Sequence, residues 1–388
     1  MSLRFSARTG WDVGESSFAA AIREARLAGR RLYDLTISNP TVCGFSYDAA
    51  AILSPLSDID ALTYDPDARG MRSSREAVDG YYRGHGAVVD PDALVLTTST
   101  SEGYGYLFRL LCDAGDEILV AQPSYPLFDF LADLEDVKLR PYPLFYDYGW
   151  WIDFAELERR IGPRTRAIVV VHPNNPTGHG TKAVERRRLE AICAQHGLAL
   201  IVDEVFLDFS LERTDTEELV SFAVGSHPVL TFVLSGMSKI AGLPQMKAAW
   251  IAGFGPEEVR QEAMARLEVI ADTFLSMNAP VQRALPLWLA GREGIQRQIL
   301  ERVQTNLACA EEAGLEVLRV EAGWCAILRL PRGGDVAEEL LHECGVIVHP
   351  GSFYGIAESG RVVVSLIGPS EDFAAGVRQI AGAINGTK

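Results

Sequence analysis

The chain has 388 residues, is 48% hydrophobic and carries a formal net charge of −16. That length and apolar content suffice for one large core and a second, smaller one, so two structural units in one polypeptide are expected. The acidic balance argues against bulk electrostatic binding to nucleic acid or an anionic membrane, and neither a signal-like leader nor a charge-free spanning stretch is visible, which makes a cytoplasmic location the expectation.

Taken in chain order, apolar stretches bounded by turn residues predict strands at 93–98, 117–122, 138–144, 167–172, 199–203, 229–234 and 248–253. Amphipathic stretches between them predict helices at 73–83, 102–112, 126–134, 182–196 and 256–273. The alternation implies an α/β class: a large domain with a mostly parallel seven-stranded sheet flanked by helices. From about residue 278 a long helical pattern leads into β-rich pieces at 316–330, 346–350 and 362–367 and a closing helix at 371–384. This change of texture implies a smaller α+β domain that the N-terminal segment joins, with the large domain at 46–285 and the small one at 1–45 and 286–388. The six cysteines (Cys43, Cys112, Cys193, Cys309, Cys325, Cys344) are scattered, with no CxxC and no His/Cys pairing suited to zinc. They read as reduced core residues, and no metal site is expected.

Three segments carry the chemistry. LSGMSK puts Lys239 in a Ser/Gly-rich turn directly after the apolar run VLTFV; PNNPTG occupies 173–178; and LALIVDEVF ends an apolar strand on Asp203. Alone, the lysine reads as a solvated loop residue and the aspartate as a cap for the next element. Together the segments point to an enzyme that uses pyridoxal phosphate. That cofactor must be tethered by a lysine, kept protonated at its ring nitrogen, stacked, held by its phosphate and presented with a substrate carboxylate.

Lys239 is the candidate tether and proton carrier. Asp203, costly to bury unpaired, is suited to a protonated pyridine nitrogen. Asn175 offers an amide to the ring's phenolic oxygen. Thr100 and Ser101, in TTSTSEG between a strand and a helix, are suited to a phosphate at a positive helix end, with Ser238 and Lys247 as further contacts. Tyr125, in QPSYPLF, is the stacking candidate, and Arg361, in SGRVVVS, the candidate clamp for a substrate carboxylate.

In this light the chain resembles the fold type I pyridoxal-phosphate enzymes, and among them the class I/II aminotransferases related to aspartate and alanine aminotransferase. The segments YDPDARGMRSSREAV, TSTSEGY, PSYP, PNNPTG, DEVF, SGMSK, HPGSFYG and GRVVVS follow one another in the family's order. The resemblance implies the roles given above for Lys239, Asp203, Asn175, Tyr125, Arg361, Thr100, Ser101, Ser238 and Lys247. It further implies that Tyr64 reaches the phosphate of a neighbouring subunit in a homodimer, and that Ser38, Asn39 and Pro40 cross the substrate pocket, with Asn39 touching substrate.

Three departures stand out. Phe206 occupies the place of a tyrosine that donates to the phenolate, which predicts a raised Schiff-base pKa. Lys247 replaces an arginine, trading a planar fork for a point charge. No arginine stands near Thr273, where aspartate-type enzymes gain one for a distal carboxylate, so a neutral or apolar amino donor is favoured.

The leading reading is a transaminase that moves an amino group from an L-amino acid to a 2-oxo acid. The alternatives are a lyase of the carbon–sulfur β-lyase or aminocyclopropane-carboxylate-synthase kind, and a non-enzymatic ligand sensor on the same fold. Trp11, Phe18, Phe353 and Tyr354 are further pocket candidates.

Overall fold

A computed structural model describes residues 3–211, 219–334 and 336–385. Its large sheet is built from β1 (Leu94–Thr97), β2 (Glu117–Gln122), β3 (Lys138–Tyr146), β4 (Trp150–Ile152), β5 (Thr165–Val171), β6 (Ala199–Asp203), β7 (Thr231–Gly236) and β8 (Ala249–Phe254). Their spatial order is β1-β8-β7-β6-β5-β2-β3-β4. The seven expected strands are all present; β4, three residues long and antiparallel to β3, adds an eighth at the edge.

The pairs β2·β3, β2·β5, β5·β6 and β6·β7 are parallel. Because β8 is antiparallel to both β7 and β1, β1 points the same way as β7. Thr97, Gln122, Val171, Asp203 and Gly236 therefore all lie at one edge of the sheet, the C-terminal ends of like-directed strands, where open α/β sheets gather their ligands.

Successive residues of each strand enter opposite cores. Leu94, Leu119, Ile168, Leu200, Val233 and Trp250 face one; Val95, Ile118, Val169, Ile201, Phe232 and Ile251 face the other. This period of two, apolar on both phases, is what a sheet covered on both faces requires. Helices Thr100–Leu111, Leu127–Leu134 and Glu257–Phe274 supply the second core, through residues such as Phe108, Phe128 and Leu267. Helices Arg72–Gly84 and Ala183–His196 supply Val78, Tyr82 and Leu189 to the first.

Beyond helices Ala279–Ala290 and Glu293–Glu312, a second sheet forms from β9 (Glu316–Val317), β10 (Cys325–Arg329), β11 (His349–Pro350) and β12 (Arg361–Ser365). Its order is β9-β10-β12-β11, antiparallel throughout. The N-terminal segment joins this unit: Tyr33–Asp34 pairs with Val346–Ile347, and Ser365 N–H donates to Leu35 O at 2.7 Å. All six cysteines are free. Among the described residues no helix is long and apolar enough to cross a membrane, and no cluster of three or more His, Cys, Asp or Glu side chains is suited to a metal ion.

Candidate active site

The end of β6 sets the electrostatics. Asp203 is buried; its Oδ2 accepts from Tyr104 Oη at 3.1 Å and its Oδ1 from Val205 N–H at 3.1 Å. Burial pushes its pKa up to about 6, against the pull of those two donors and of Lys239. Tyr104, on the first helix after β1, was not singled out from the sequence, because a tyrosine on an apolar helix face carries no spacing signal. The next residue, Glu204, is fully buried and held by Ser221 Oγ at 2.7 Å and Phe222 N–H at 2.5 Å, with its pKa raised by burial to about 7.

Lys239 lies in the helical turn Met237–Ile240 that follows β7. Gly236, its approach, has no room for a side chain: a Cβ there would lie 2.7 Å from Ala249 Cβ and 2.9 Å from Ala248 O. Burial lowers the Lys239 pKa, offset in part by Cys325 and Asp203. Its Nζ sits 4.8 Å from the Trp324 ring centroid and 5.4 Å from that of Phe206.

The 173–181 turn separates two adjacent asparagines by role. Asn174 Oδ1 accepts from Thr177 Oγ1 at 2.8 Å and so builds the turn, while Asn175 Oδ1 is buried without a partner among the described residues. Gly178 closes the turn at φ +70°, a conformation that favours glycine. Its carbonyl accepts from Glu321 and Ala322 N–H, docking the turn on the segment that leads to Trp324. His172 at the end of β5 is buried, and burial lowers its pKa to about 3; with Nδ1 accepting from Thr181 N–H, its Nε2–H donates to Val220 O.

At the end of β1, Ser99 caps the helix that Thr100 begins, accepting from Glu102 N–H, while Glu102 Oε2 accepts from Thr98 N–H and Oγ1. This reciprocal cap consumes Thr98 and Ser99 and leaves the Thr100 and Ser101 hydroxyls without hydrogen bonds among the described residues, half-buried at the positive helix end. Ser238 and Lys247 lie in the lysine loop; Lys247 is exposed with φ 54°.

Tyr125 is half-exposed and lines a cavity of about 270 Å³ together with Gln122, Ser124, Phe353 and Tyr354. Trp11 and Phe18 do not join it. Trp11 docks on a helix through Asp133 Oδ2 and Phe130, and Phe18 packs beside Ala25, Leu341 and Ile347. Both are aromatic residues in a polar N-terminal stretch with docking partners far along the chain, Asp133 for Trp11 and Leu341 for Phe18.

Arg361 opens β12 directly opposite Arg329; burial first, and then the charge of Arg329, lowers its pKa. Ser365, four residues along the strand and about 13 Å away at the usual strand rise, is the residue that pairs with Cys325 beside Lys239. Asn39 is exposed, and its Oδ1 is engaged by Thr41 N–H and Oγ1 at 3.1 and 2.9 Å. Tyr64 is exposed on the far side of a small cavity shared with Asp65, Tyr106, Met277 and Gln282.

The chain is 28% identical over 272 residues to the glutamate-pyruvate aminotransferase AlaA of Escherichia coli, covering 70% of this chain and 66% of that protein, just under two thirds of the relative's length. It is 25% identical over 396 residues to the arginine–pyruvate transaminase AruH of Pseudomonas aeruginosa, covering 98% of each. The fold superposes on alanine aminotransferase from Pyrococcus furiosus with a TM-score of 0.88, at 22% identity, over 99% of this chain and 100% of the other. The family model described as aminotransferase class I and II matches residues 49–378. With that match spanning most of its length, the chain belongs to the class I and II aminotransferase family.

Proposed function

We propose that the protein is a pyridoxal-phosphate-dependent transaminase that takes the amino group of a neutral or apolar L-amino acid and delivers it to a 2-oxo acid. The observation that carries this reading is the convergence, at one sheet edge, of a lysine amine and a buried carboxylate, neither of which has an ion-pair partner among the described residues. Burial raises the Asp203 pKa to about 6 and the charge of Lys239 offsets this only in part, a need that a protonated ring nitrogen answers.

The other residues fit the same group. Asn175 keeps an orphaned amide oxygen and so has its amide free to orient toward a phenolic oxygen. Thr100, Ser101 and Ser238 present hydroxyls, and Lys247 a cation, for a phosphate. Tyr125 supplies a ring face. When bound, the cofactor supplies an electron sink that acidifies the substrate's α-carbon.

The chain's own part is proton handling and positioning. Lys239 Nζ would take and return the proton at the substrate's α-carbon; Asp203 would hold a ring nitrogen protonated; the buried Phe206 and Trp324 rings would keep water off the amine. Arg361, which opens β12, is the proposed carboxylate clamp. Asn39 is proposed to touch substrate through its Nδ2. The lack of an arginine beside Thr273 supports a neutral or apolar donor. We further propose a homodimer in which the exposed Tyr64 completes the phosphate site of the partner subunit.

The test is the absorption spectrum of protein reconstituted with pyridoxal phosphate, followed by single amino acids added without an acceptor. Loss of the visible band with one equivalent of 2-oxo acid is the expected result. Continuous release of pyruvate and ammonia with the band retained would replace transamination with β-elimination. Failure to take up the cofactor would overturn both.

A further inference from the structure

The immediate surroundings of Lys239 Nζ are aromatic rather than acidic. Among the described residues no carboxylate ion-pairs with it and no oxygen accepts a hydrogen bond from it. Its close neighbours are the faces of Trp324 at 4.8 Å and Phe206 at 5.4 Å, both within the range of a cation–π contact. The two rings pack edge to face, with centroids 5.4 Å apart at 75°, and Phe209 backs Trp324 at 5.2 Å. All three are buried. Trp324 is anchored by its backbone: its carbonyl accepts from Leu366 N–H at 2.7 Å, and the preceding Gly323 N–H donates to Phe209 O at 2.9 Å. The seat is therefore a fixed wall, and the lysine is the part that moves.

We propose that Trp324, with Phe206, forms an aromatic seat for the Lys239 ammonium. Both are positioning residues that stabilise the protonated amine whenever the lysine is free. The inference rests on the reading of Lys239 as the lysine that is released and carries a proton during turnover, and it assigns the phenylalanine at 206 a purpose.

Burial disfavours the ammonium, and the two titratable groups that face it, Cys325 and Asp203, offset that only in part and without a direct ion pair. A carboxylate in direct contact would correct the rest by immobilising the amine in an ion pair. Ring faces offset part of the penalty without a directional bond, so the amine stays free to swing between the cofactor and the substrate carbon. A hydroxyl on the 206 ring would add a competing acceptor; phenylalanine leaves only the face.

The test uses the chain without cofactor. Trace acetylation with acetic anhydride is measured across pH, the peptide bearing Lys239 is quantified by mass spectrometry, and the exposed Lys138 serves as the internal reference. Trp324→Leu should lower the Lys239 midpoint by roughly half a unit to one and a half units, the range set by a cation–π contact. Trp324→Phe, which keeps a ring face, should restore most of that shift, and Phe206→Leu should lower the midpoint by less than Trp324→Leu does. A midpoint that stays put or rises in Trp324→Leu overturns the seat. Should that variant fail to fold, an unchanged midpoint in Phe206→Leu overturns it equally. Because no cofactor is present, the outcome is independent of the transaminase reading, which fails separately if the wild-type chain takes up no pyridoxal phosphate.

Discussion

Two adjacent acids at the end of β6 tie this site's chemistry to the protein's stability. Asp203 and Glu204 have pKa values raised to about 6 and about 7 by burial, so the folded chain binds their protons more tightly than the unfolded chain does. Their contribution is thus full below the unfolded values near 4 and is lost as pH rises through 6 and 7. For the cofactor-free protein, urea unfolding should give less stability from these two groups at pH 8 than at pH 6, by about 1 kcal/mol from Glu204 and under about 0.5 kcal/mol from Asp203, most of whose share is lost between pH 4 and 6. Glu204→Gln should flatten its share of that slope. Adding pyridoxal phosphate should remove the Asp203 share, since a ring cation lowers its pKa; a slope unchanged by the cofactor would separate Asp203 from the ring nitrogen. Tyr104→Phe should raise the Asp203 pKa further and move the acidic limb of the activity profile to higher pH. For Arg361→Gln the expected outcome is a KM for the amino donor at least about tenfold higher with kcat changed less, the signature of lost ground-state binding. An unchanged KM would take Arg361 out of the pocket, in keeping with its place four residues from Ser365.

Between elements, the asparagine turn is fastened by a buried charge cluster that no local pattern announces. His179 Nε2 lies 3.0 Å from Glu185 Oε2 and its Nδ1 3.8 Å from Glu321 Oε2. Lys182 Nζ lies 2.6 Å from Glu321 Oε1, and Gly180 N–H donates to Glu321 Oε2 at 2.8 Å. Glu185 also accepts from Ile152 N–H on β4, so one cluster joins the turn, a helix start, an edge strand and the approach to Trp324. Removing one member of a buried pair leaves the others uncompensated, and Glu321→Ala should cost about 3 kcal/mol or more by urea unfolding. Removing Glu262 from its exposed pair with Arg266 should cost under about 1 kcal/mol. The same contrast explains what the sequence made legible. Strands 117–122 and 199–203 are found where expected because both phases of their period are apolar and turn residues bound them. Lys239, Asp203 and Asn175 were readable because each sits directly after such a strand. β4 was not, since three residues between a turn and a short helix carry too little period, and Glu321, Trp324 and Tyr104 act on partners that are distant in sequence, such as Asp203 at 99 positions from Tyr104 and Gly180 at 141 from Glu321, and meet them only in the folded chain.

At the scale of the molecule, the surface around Tyr64 is apolar without being packed. Ile59, Leu62 and Tyr64 are each more than 70% exposed, and Phe274 and Leu275 are open on the helix end beside the cavity that Tyr64 lines. Such a surface on an otherwise strongly acidic chain suits a partner, and the proposed second copy, seating Tyr64 over its phosphate site, would be one. Size-exclusion chromatography with light scattering should give twice the 42.4 kDa chain mass. The sharper test is complementation. A Lys239→Ala chain has no tether, and a Tyr64→Ala chain lacks the phosphate contact it would lend. In a mixed dimer of the two, the site on the Lys239→Ala subunit carries both defects, whereas the site on the Tyr64→Ala subunit has its own lysine and receives Tyr64 from its neighbour. Co-expressed mixed dimers, purified through two different tags, should therefore hold one cofactor per dimer with close to half the wild-type activity, although both parent homodimers are impaired. If Tyr64 serves its own chain, each site of the mixed dimer keeps the defect of its own subunit, and its activity falls to the mean of the two parents.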